Sequence, residues 1–396
     1  MWKLQENVYN KSDLLIFSDY LQKSKKLTQG KKVQELEKKF SSWNQSKYSV
    51  FVNSGSSANL IMIYSAKDLF KWNNQDEIIV PSLTWPTTVT PVMQAGLKPV
   101  FVDCNLSDFS FDYEQLKEKI NDKTKAIFVT HILGYPANMQ IIKAMIKGKN
   151  IILLEDCCES LGSKYNNMKV GNFGLAGSFS FYWGHHMTTI EGGMIVTNNE
   201  QFYNMCILKR SHGFARELPK KYHNKLKKKY KKIDFNYLFL TDGFNLRSTN
   251  FNAFIGIHEL KKLDTIIKKR NKNYLLFVNI ISKFNKILLV KFSDFNNYIS
   301  NFAFPFVFKK KEYLKKFKKE LIKNKIEHRP LISGNLVLQP FLRKLTAEKF
   351  NNSNFIHNNG VYLGNNQFIN QKKLNLLKKI LNKCFSNISM QKTKKY

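Results

Sequence analysis

Ser178-Phe-Ser-Phe-Tyr-Trp-Gly-His-His-Met-Thr-Thr-Ile-Glu-Gly-Gly193 packs hydroxyls, two adjacent imidazoles, an acid and paired glycines between two apolar runs, the second being Met194-Ile-Val-Thr197. Working outward, Glu77-Ile-Ile-Val-Pro81, Pro99-Val-Phe-Val-Asp103, Ala126-Ile-Phe-Val-Thr130 and Ile151-Ile-Leu-Leu-Glu155 read as strands buried on both faces. Val33-Gln-Glu-Leu-Glu-Lys-Lys-Phe40 has helical spacing, and Asp112-Tyr-Glu-Gln115 resembles a capping box opening a helix through Ile120. Strand, helix, strand in this rhythm predicts right-handed crossovers and a mostly parallel sheet, with function gathered in loops beyond the strand ends. After about Gly256 the pattern changes to lysine-rich helices at 260–283, 311–324 and 371–384, separated by apolar runs such as Phe302-Ala-Phe-Pro-Phe-Val-Phe308. The expected class is therefore α/β, with a large domain over residues 1–255 and a smaller α+β domain over 256–396.

A chain of 396 residues, 43% hydrophobic, is long enough to bury a large core in two domains. The start, Met-Trp-Lys-Leu-Gln-Glu-Asn, lacks the apolar stretch of a secretory signal, and no segment approaches the roughly 20 apolar residues that span a bilayer. A cytoplasmic protein without a membrane partner is the expectation. The five cysteines (Cys104, Cys157, Cys158, Cys206, Cys384) show neither CxxC nor CxC spacing, which argues against a disulfide framework or a cysteine-rich metal site. The formal charge of +35 comes mostly from lysines spread through the chain among asparagines, a pattern of compositional drift rather than a nucleic-acid groove. Its densest run, 220–232, reads as a solvated loop or helix face or else a polyphosphate-facing surface, with too few aromatics for a stacking platform.

Three motifs carry chemistry. Asn53-Ser-Gly-Ser-Ser-Ala-Asn59 follows an apolar run and precedes a helical segment, so its small residues either cradle a phosphate at a helix amino terminus or make a plain strand-to-helix turn. Glu155-Asp156-Cys157-Cys158-Glu159 ends a hydrophobic strand, where Asp156 either holds a protonated pyridine nitrogen or caps a helix. The third is the stretch from Ser178 to Gly193.

At these residues the chain resembles the DegT-type family of sugar aminotransferases and dehydratases, which have the type I fold of enzymes dependent on pyridoxal phosphate (PLP). Glu191-Gly192-Gly193 and Thr188-Thr189 fix the register, and His185 falls where typical members carry the cofactor-binding lysine. Further matches are Gly55-Ser56-Ser57, Pro81-Ser-Leu-Thr-Trp85, Gly96-Leu-Lys-Pro-Val-Phe-Val-Asp103, Thr130-His-Ile-Leu-Gly134, Asp156 and Gly243-Phe-Asn-Leu-Arg247. The resemblance implies that Gly55, Ser56 and Ser180 hold the PLP phosphate, with Asn245 reaching it from the partner subunit of a homodimer. Trp85 would stack on the pyridine ring, Asp156 would pair with its nitrogen, and Glu159 would face the side of the ring hydroxyl.

An imidazole forms no Schiff base with the PLP aldehyde, but it accepts protons near neutrality. Within the family this departure resembles the histidine-bearing sugar 3-dehydratases, most of all those acting on GDP-4-keto-6-deoxymannose, and Arg329-Pro-Leu-Ile-Ser-Gly-Asn-Leu-Val-Leu-Gln-Pro340 strengthens the match. The implied chemistry takes an amino group from L-glutamate onto PLP to give PMP, and then removes the C3 hydroxyl of a nucleotide-activated 4-keto-6-deoxyhexose, with His185 as the base. His186, His212, Arg247, His328 and Arg329 are the candidate substrate contacts. A branch acting on CDP-sugars uses an iron–sulfur cluster, which needs four thiolates beyond the histidine motif. Only Cys206 and Cys384 lie there, so no cluster is expected.

Overall fold

The computed structural model describes residues 1–289 and 297–389. Residues 290–296 and 390–396, which fall within the expected second domain, lie outside the described residues. The chain lays down β1 (Tyr48–Val52), β2 (Glu77–Pro81), β3 (Lys98–Val102), β4 (Thr124–Thr130) and β5 (Ile152–Asp156), with helices Gly55–Phe70, Pro86–Gln94, Tyr113–Lys119 and Met139–Ile146 between them. A short hairpin, β6 (Lys164–Tyr165) and β7 (Met168–Lys169), precedes β8 (Ala176–Ser180) and β9 (Gly193–Thr197). β1 to β5, β8 and β9 make one seven-stranded sheet in the order β1-β9-β8-β5-β4-β2-β3.

Pairing is parallel from β3 through β2, β4 and β5 to β8, as the alternation of strands and helices predicts. β9 alone runs against its neighbours β8 and β1. The residues between β8 and β9 form a loop instead of a crossover helix, and a strand that returns by a loop pairs antiparallel. Burial on both faces holds for β2 but fails for β3, whose Lys98 is exposed and whose Pro99 and Val100 are half-buried. β3 lies at the sheet edge, where a proline without an N–H is tolerated.

Beyond residue 256, β11 (Ala303–Val307), β12 (His328–Pro330) and β13 (Gly360–Gly364) pair antiparallel in the order β11-β13-β12, and β10 (Asn297–Tyr298) extends the β6–β7 hairpin. Helices Lys311–Lys323 and Gln371–Ser389 present apolar stripes, Phe317 and Leu321 from one and Leu377 and Leu381 from the other, to the core around Phe304 and Phe306. The lysine run is a turn followed by the helix His223–Lys229, with no residue buried, as a solvated face requires. Among the described residues no helix is long and apolar enough to cross a membrane.

Candidate active site

The carboxyl ends of the parallel strands converge on one cavity of about 380 Å³. β4 delivers Thr130, β5 Asp156 and β8 Ser180 to its wall, and the turn after β1 delivers Ser54, Gly55 and Ser56. Such switch points are where open α/β sheets bind ligands.

Ser54 caps the helix Gly55–Phe70 by accepting from the Ser57 N–H at 3.0 Å, while the first-turn amides of Gly55 and Ser56 have no acceptor within the helix. The approach is very close. A Cβ on Gly55 would stand 2.7 Å from Ser180 Cβ and 2.9 Å from Cys158 Sγ, and one on Gly193 would stand 2.2 Å from the Ser54 carbonyl oxygen. Glycine at both positions lets the helix terminus settle onto the ends of β8 and β9, leaving a backbone-lined concavity with the positive end of a helix dipole beside it.

Asp156 lies on the floor, 4% exposed. Its Oδ2 accepts from Asn59 Nδ2 at 2.7 Å and Thr88 Oγ1 at 2.9 Å, and its Oδ1 from the Cys158 N–H at 3.1 Å. Asn59 is itself oriented by Ser178, whose hydroxyl donates to its Oδ1, and Thr88 belongs to a hydroxyl chain through Thr84 to Thr130. Asn59 and Thr88 escape sequence reading because they sit inside helices and look like polar interruptions of an apolar face. Their one signal is a residue type that carries both a donor and an acceptor at a position with no solvent. The neighbouring Glu155 points away from the cavity. It accepts from the N–H groups of Gly171, Phe173 and Gly174 and pairs with His131, a structural pin rather than a site group.

His185 hangs from the loop between β8 and β9 on the cavity wall. Its Nδ1 lies 2.8 Å from the Cys158 carbonyl oxygen. A carbonyl only accepts, so Nδ1 carries the proton and Nε2 keeps its lone pair. Burial pushes the imidazole down to about 4, opposed by the hydrogen bond to Cys158, assisted by the positive charge of Arg270 and opposed again by Asp156. Glu159 moves the other way. Burial, with the Asp156 charge beside it, lifts its carboxyl to about 7 against the hydrogen bond its Oε2 accepts from the Leu133 N–H.

Trp85, before the helix Pro86–Gln94, is 56% exposed at the cavity rim, so it is not a core aromatic. Arg329 on β12 and Tyr362 on β13 close the side opposite the large sheet. The cavity thus unites Gly55, Ser56, Trp85, Asp156, Glu159, Ser180, His185 and Arg329, and among the described residues no lysine lines it. Five expected residues are not in its wall. His186 is buried, its Nε2 2.9 Å from the Ser300 carbonyl oxygen, and His328 turns its Nδ1 to the Ile326 carbonyl at 3.1 Å. His212 has left-handed backbone (φ 56°) and lies edge-on to Phe214. Asn245 is exposed and accepts from Arg247 Nε at 3.0 Å, and Arg247 borders a separate surface cavity with Glu37, Arg210 and Arg216.

A family model, the DegT/DnrJ/EryC1/StrS aminotransferase family, matches residues 14–380. The chain belongs to this family. Relatives of the same family include a GDP-4-keto-6-deoxy-D-mannose 3-dehydratase of Escherichia coli O55:H7 (strain CB9615 / EPEC), 37% identical over 370 residues that cover 90% of this chain and 94% of the relative. Two solved structures of family members superpose closely. One is a mutant GDP-4-keto-6-deoxymannose-3-dehydratase with bound GDP-perosamine, with a TM-score of 0.88, 35% identity and 96% of this chain and 100% of that one covered. The other is the same enzyme with a trapped PLP-glutamate geminal diamine, with a TM-score of 0.87, 34% identity and 96% and 100% covered.

Proposed function

We infer that this chain is a PLP/PMP-dependent sugar 3-dehydratase that removes the C3 hydroxyl of a nucleotide-activated 4-keto-6-deoxyhexose, GDP-4-keto-6-deoxymannose, with L-glutamate as amino donor. One observation carries the reading: among the described residues the cavity wall holds a histidine with a free Nε2 and no lysine, in a chain so similar to dehydratases of that specificity. The residues present suit the cofactor. The cradle at Gly55 and Ser56, with Ser180 across it, fits a phosphate; Asp156, fixed by three donors, fits a protonated ring nitrogen; and the exposed face of Trp85 fits a planar ring.

When bound, the cofactor supplies an electron-accepting ring and, in its amine form, an amino group for the C4 ketone of the sugar. His185 takes a proton at Nε2, with the Cys158 carbonyl fixing its tautomer through Nδ1. Because the histidine is not tethered to the cofactor, it keeps that proton in the cavity and can hand it to the C3 oxygen as it departs as water. Asp156 balances positive charge on the ring nitrogen throughout, and Glu159, neutral below about pH 7, can donate toward the edge of the ring. Arg329 supplies a positive charge for the anionic part of the substrate.

The wider setting of this reading is a cytoplasmic homodimer, with residues 1–255 as the cofactor-binding part and 256–396 as the smaller domain. Exposed Trp85, Tyr182 and Ile190 near the cavity mouth, and exposed Asn245 away from the chain's own cavity, support a partner that covers the mouth and lends Asn245. Incubation with PLP, glutamate and a panel of 4-keto-6-deoxy nucleotide sugars tests the activity. Loss of the C3 oxygen with release of ammonia is expected. A 4-amino sugar as product would make the protein an aminotransferase, and absence of turnover with tight, salt-sensitive binding would make it a binding protein.

A further inference from the structure

Helix Leu263–Ile281 carries an arginine where a core residue belongs. Arg270 is 1% exposed, and burial pulls its guanidinium down to about 9, which leaves it charged at neutral pH. A buried cation is normally met by a carboxylate. Arg270 is met by carbonyl dipoles, donating to the backbone oxygens of Phe302 at 3.0 Å, of Asn365, and of His185 at 3.5 Å.

Buried asparagines brace this arrangement. The Asn365 amide donates to the Arg270 carbonyl at 3.1 Å and to Asn301 Oδ1 at 3.0 Å, Asn273 donates to Asn365 Oδ1 at 3.3 Å, and Asn301 donates to the Leu133 carbonyl at 3.0 Å. The same segment reaches the histidine pair from the other side. His186 bonds the Ser300 carbonyl, and the Phe302 ring lies 5.2 Å from the His185 ring and 6.1 Å from that of His186. Buried polar networks of this kind rigidify what they join.

We propose that Arg270 is a positioning residue for His185, tying the loop that carries it to the 300–302 and 365 segments and holding a fixed positive charge behind its ring. The proposal rests on the dehydratase reading, in which His185 is the base. Around that imidazole stand Arg270 from the helix, Asp156 and Glu159 from the end of β5, His186 beside it, Glu191 on its own loop, and Arg329 from β12. Removing the guanidinium leaves Asp156 as the dominant nearby charge, so His185 should hold a proton more readily.

The test uses protein labelled with 15N-histidine and carrying its cofactor, with the His185 resonances assigned by their loss in His185→Asn. In Arg270→Met the titration midpoint of His185 should rise by about one pH unit or more. In Arg270→Lys, which keeps the charge and loses the fork, the midpoint should stay within about 0.3 units of wild type, while kcat falls about 10-fold with KM for the sugar nearly unchanged. Asn365→Ala, which leaves the cation in place and removes its brace, should behave like Arg270→Lys and covers the case in which Arg270→Met does not fold. An unmoved midpoint in Arg270→Met, or wild-type kcat in both Arg270→Lys and Asn365→Ala, overturns the proposal. The midpoint is read without turnover, so a protein lacking dehydratase activity but showing the shift would cost the functional reading and keep the positioning role.

Discussion

The imidazole of His185 carries no primary amine, so the protein should hold its cofactor by non-covalent contacts alone, and replacing that one side chain should change the bond. In His185→Lys the new amine should link to the cofactor aldehyde, and borohydride should lock the label onto position 185, as read by peptide mass. Wild-type protein should stay unlabelled, and dehydration in the variant should fall by about 100-fold or more, since a tethered amine is not free to act as the base. Label on another lysine would remove His185 from its assigned role. The pH dependence follows from the direction of the His185 shift. The free side chain titrates near 6.5 and the folded one near about 4, so the stability it contributes is fully present above about pH 6.5 and is lost as pH falls toward about 4. The acid limb of kcat/KM for the sugar should accordingly lie near about pH 4 to 5, well below an ordinary histidine limb, and a limb near 6.5 would contradict the buried environment described for it. The legible part of the site is what residue type and register reveal together: Asp156 and Ser180 end their strands and His185 follows in the next loop, all with chemistry in their side chains, while Gly55 sits in the small-residue turn after β1. Asn59, Thr88 and Arg270 act from helix interiors, where periodicity reports only burial and not the partner across the gap.

At the scale of elements, the meeting of the helix Gly55–Phe70 with β8 and β9 sets the cofactor site, because it is backbone packed on backbone. Gly55→Ala should push the helix terminus off Ser180 and weaken PLP binding by about 10-fold or more, measured by titration of the apoprotein, since one misplaced amide pair loses charge-assisted bonds to a phosphate. Gly193→Ala meets the Ser54 carbonyl instead and should cost about 1–3 kcal/mol of stability as an overpacked contact, seen in a denaturant midpoint. Unchanged PLP affinity in Gly55→Ala would mean that the phosphate sits elsewhere. β2, β4 and β5 are legible from uniform apolar runs, but β8, Ala176–Ser180, offers none, and the reversal of β9 is not legible either, since a run such as Met194–Thr197 looks the same whichever way it points. The edge position of β3 was visible only in hindsight, in Lys98 and Pro99.

Taken as a whole molecule, the protein should work as a pair. Mixing Asn245→Ala subunits with His185→Asn subunits should restore activity, because one of the two sites in the mixed dimer then keeps both residues intact; no recovery in verified heterodimers would show that each chain serves itself. The five cysteines are all free thiols; Cys206 and Cys384 are buried, and burial raises both thiols. Purified protein should therefore turn over without iron, sulfide or a reductase, and a metal analysis showing stoichiometric iron needed for activity would reassign it to radical chemistry. The loop of residues 181–192 leaves β8 at Ser180 and re-enters β9 at Gly193, and those two residues are paired across the sheet. Its two ends are therefore clamped whatever lies between them, like a tool bit in a chuck. Exchanging the side chain at position 185 therefore alters no strand pairing: the chemistry of the cavity can be changed from within the loop while the register of the sheet that holds it stays as it is.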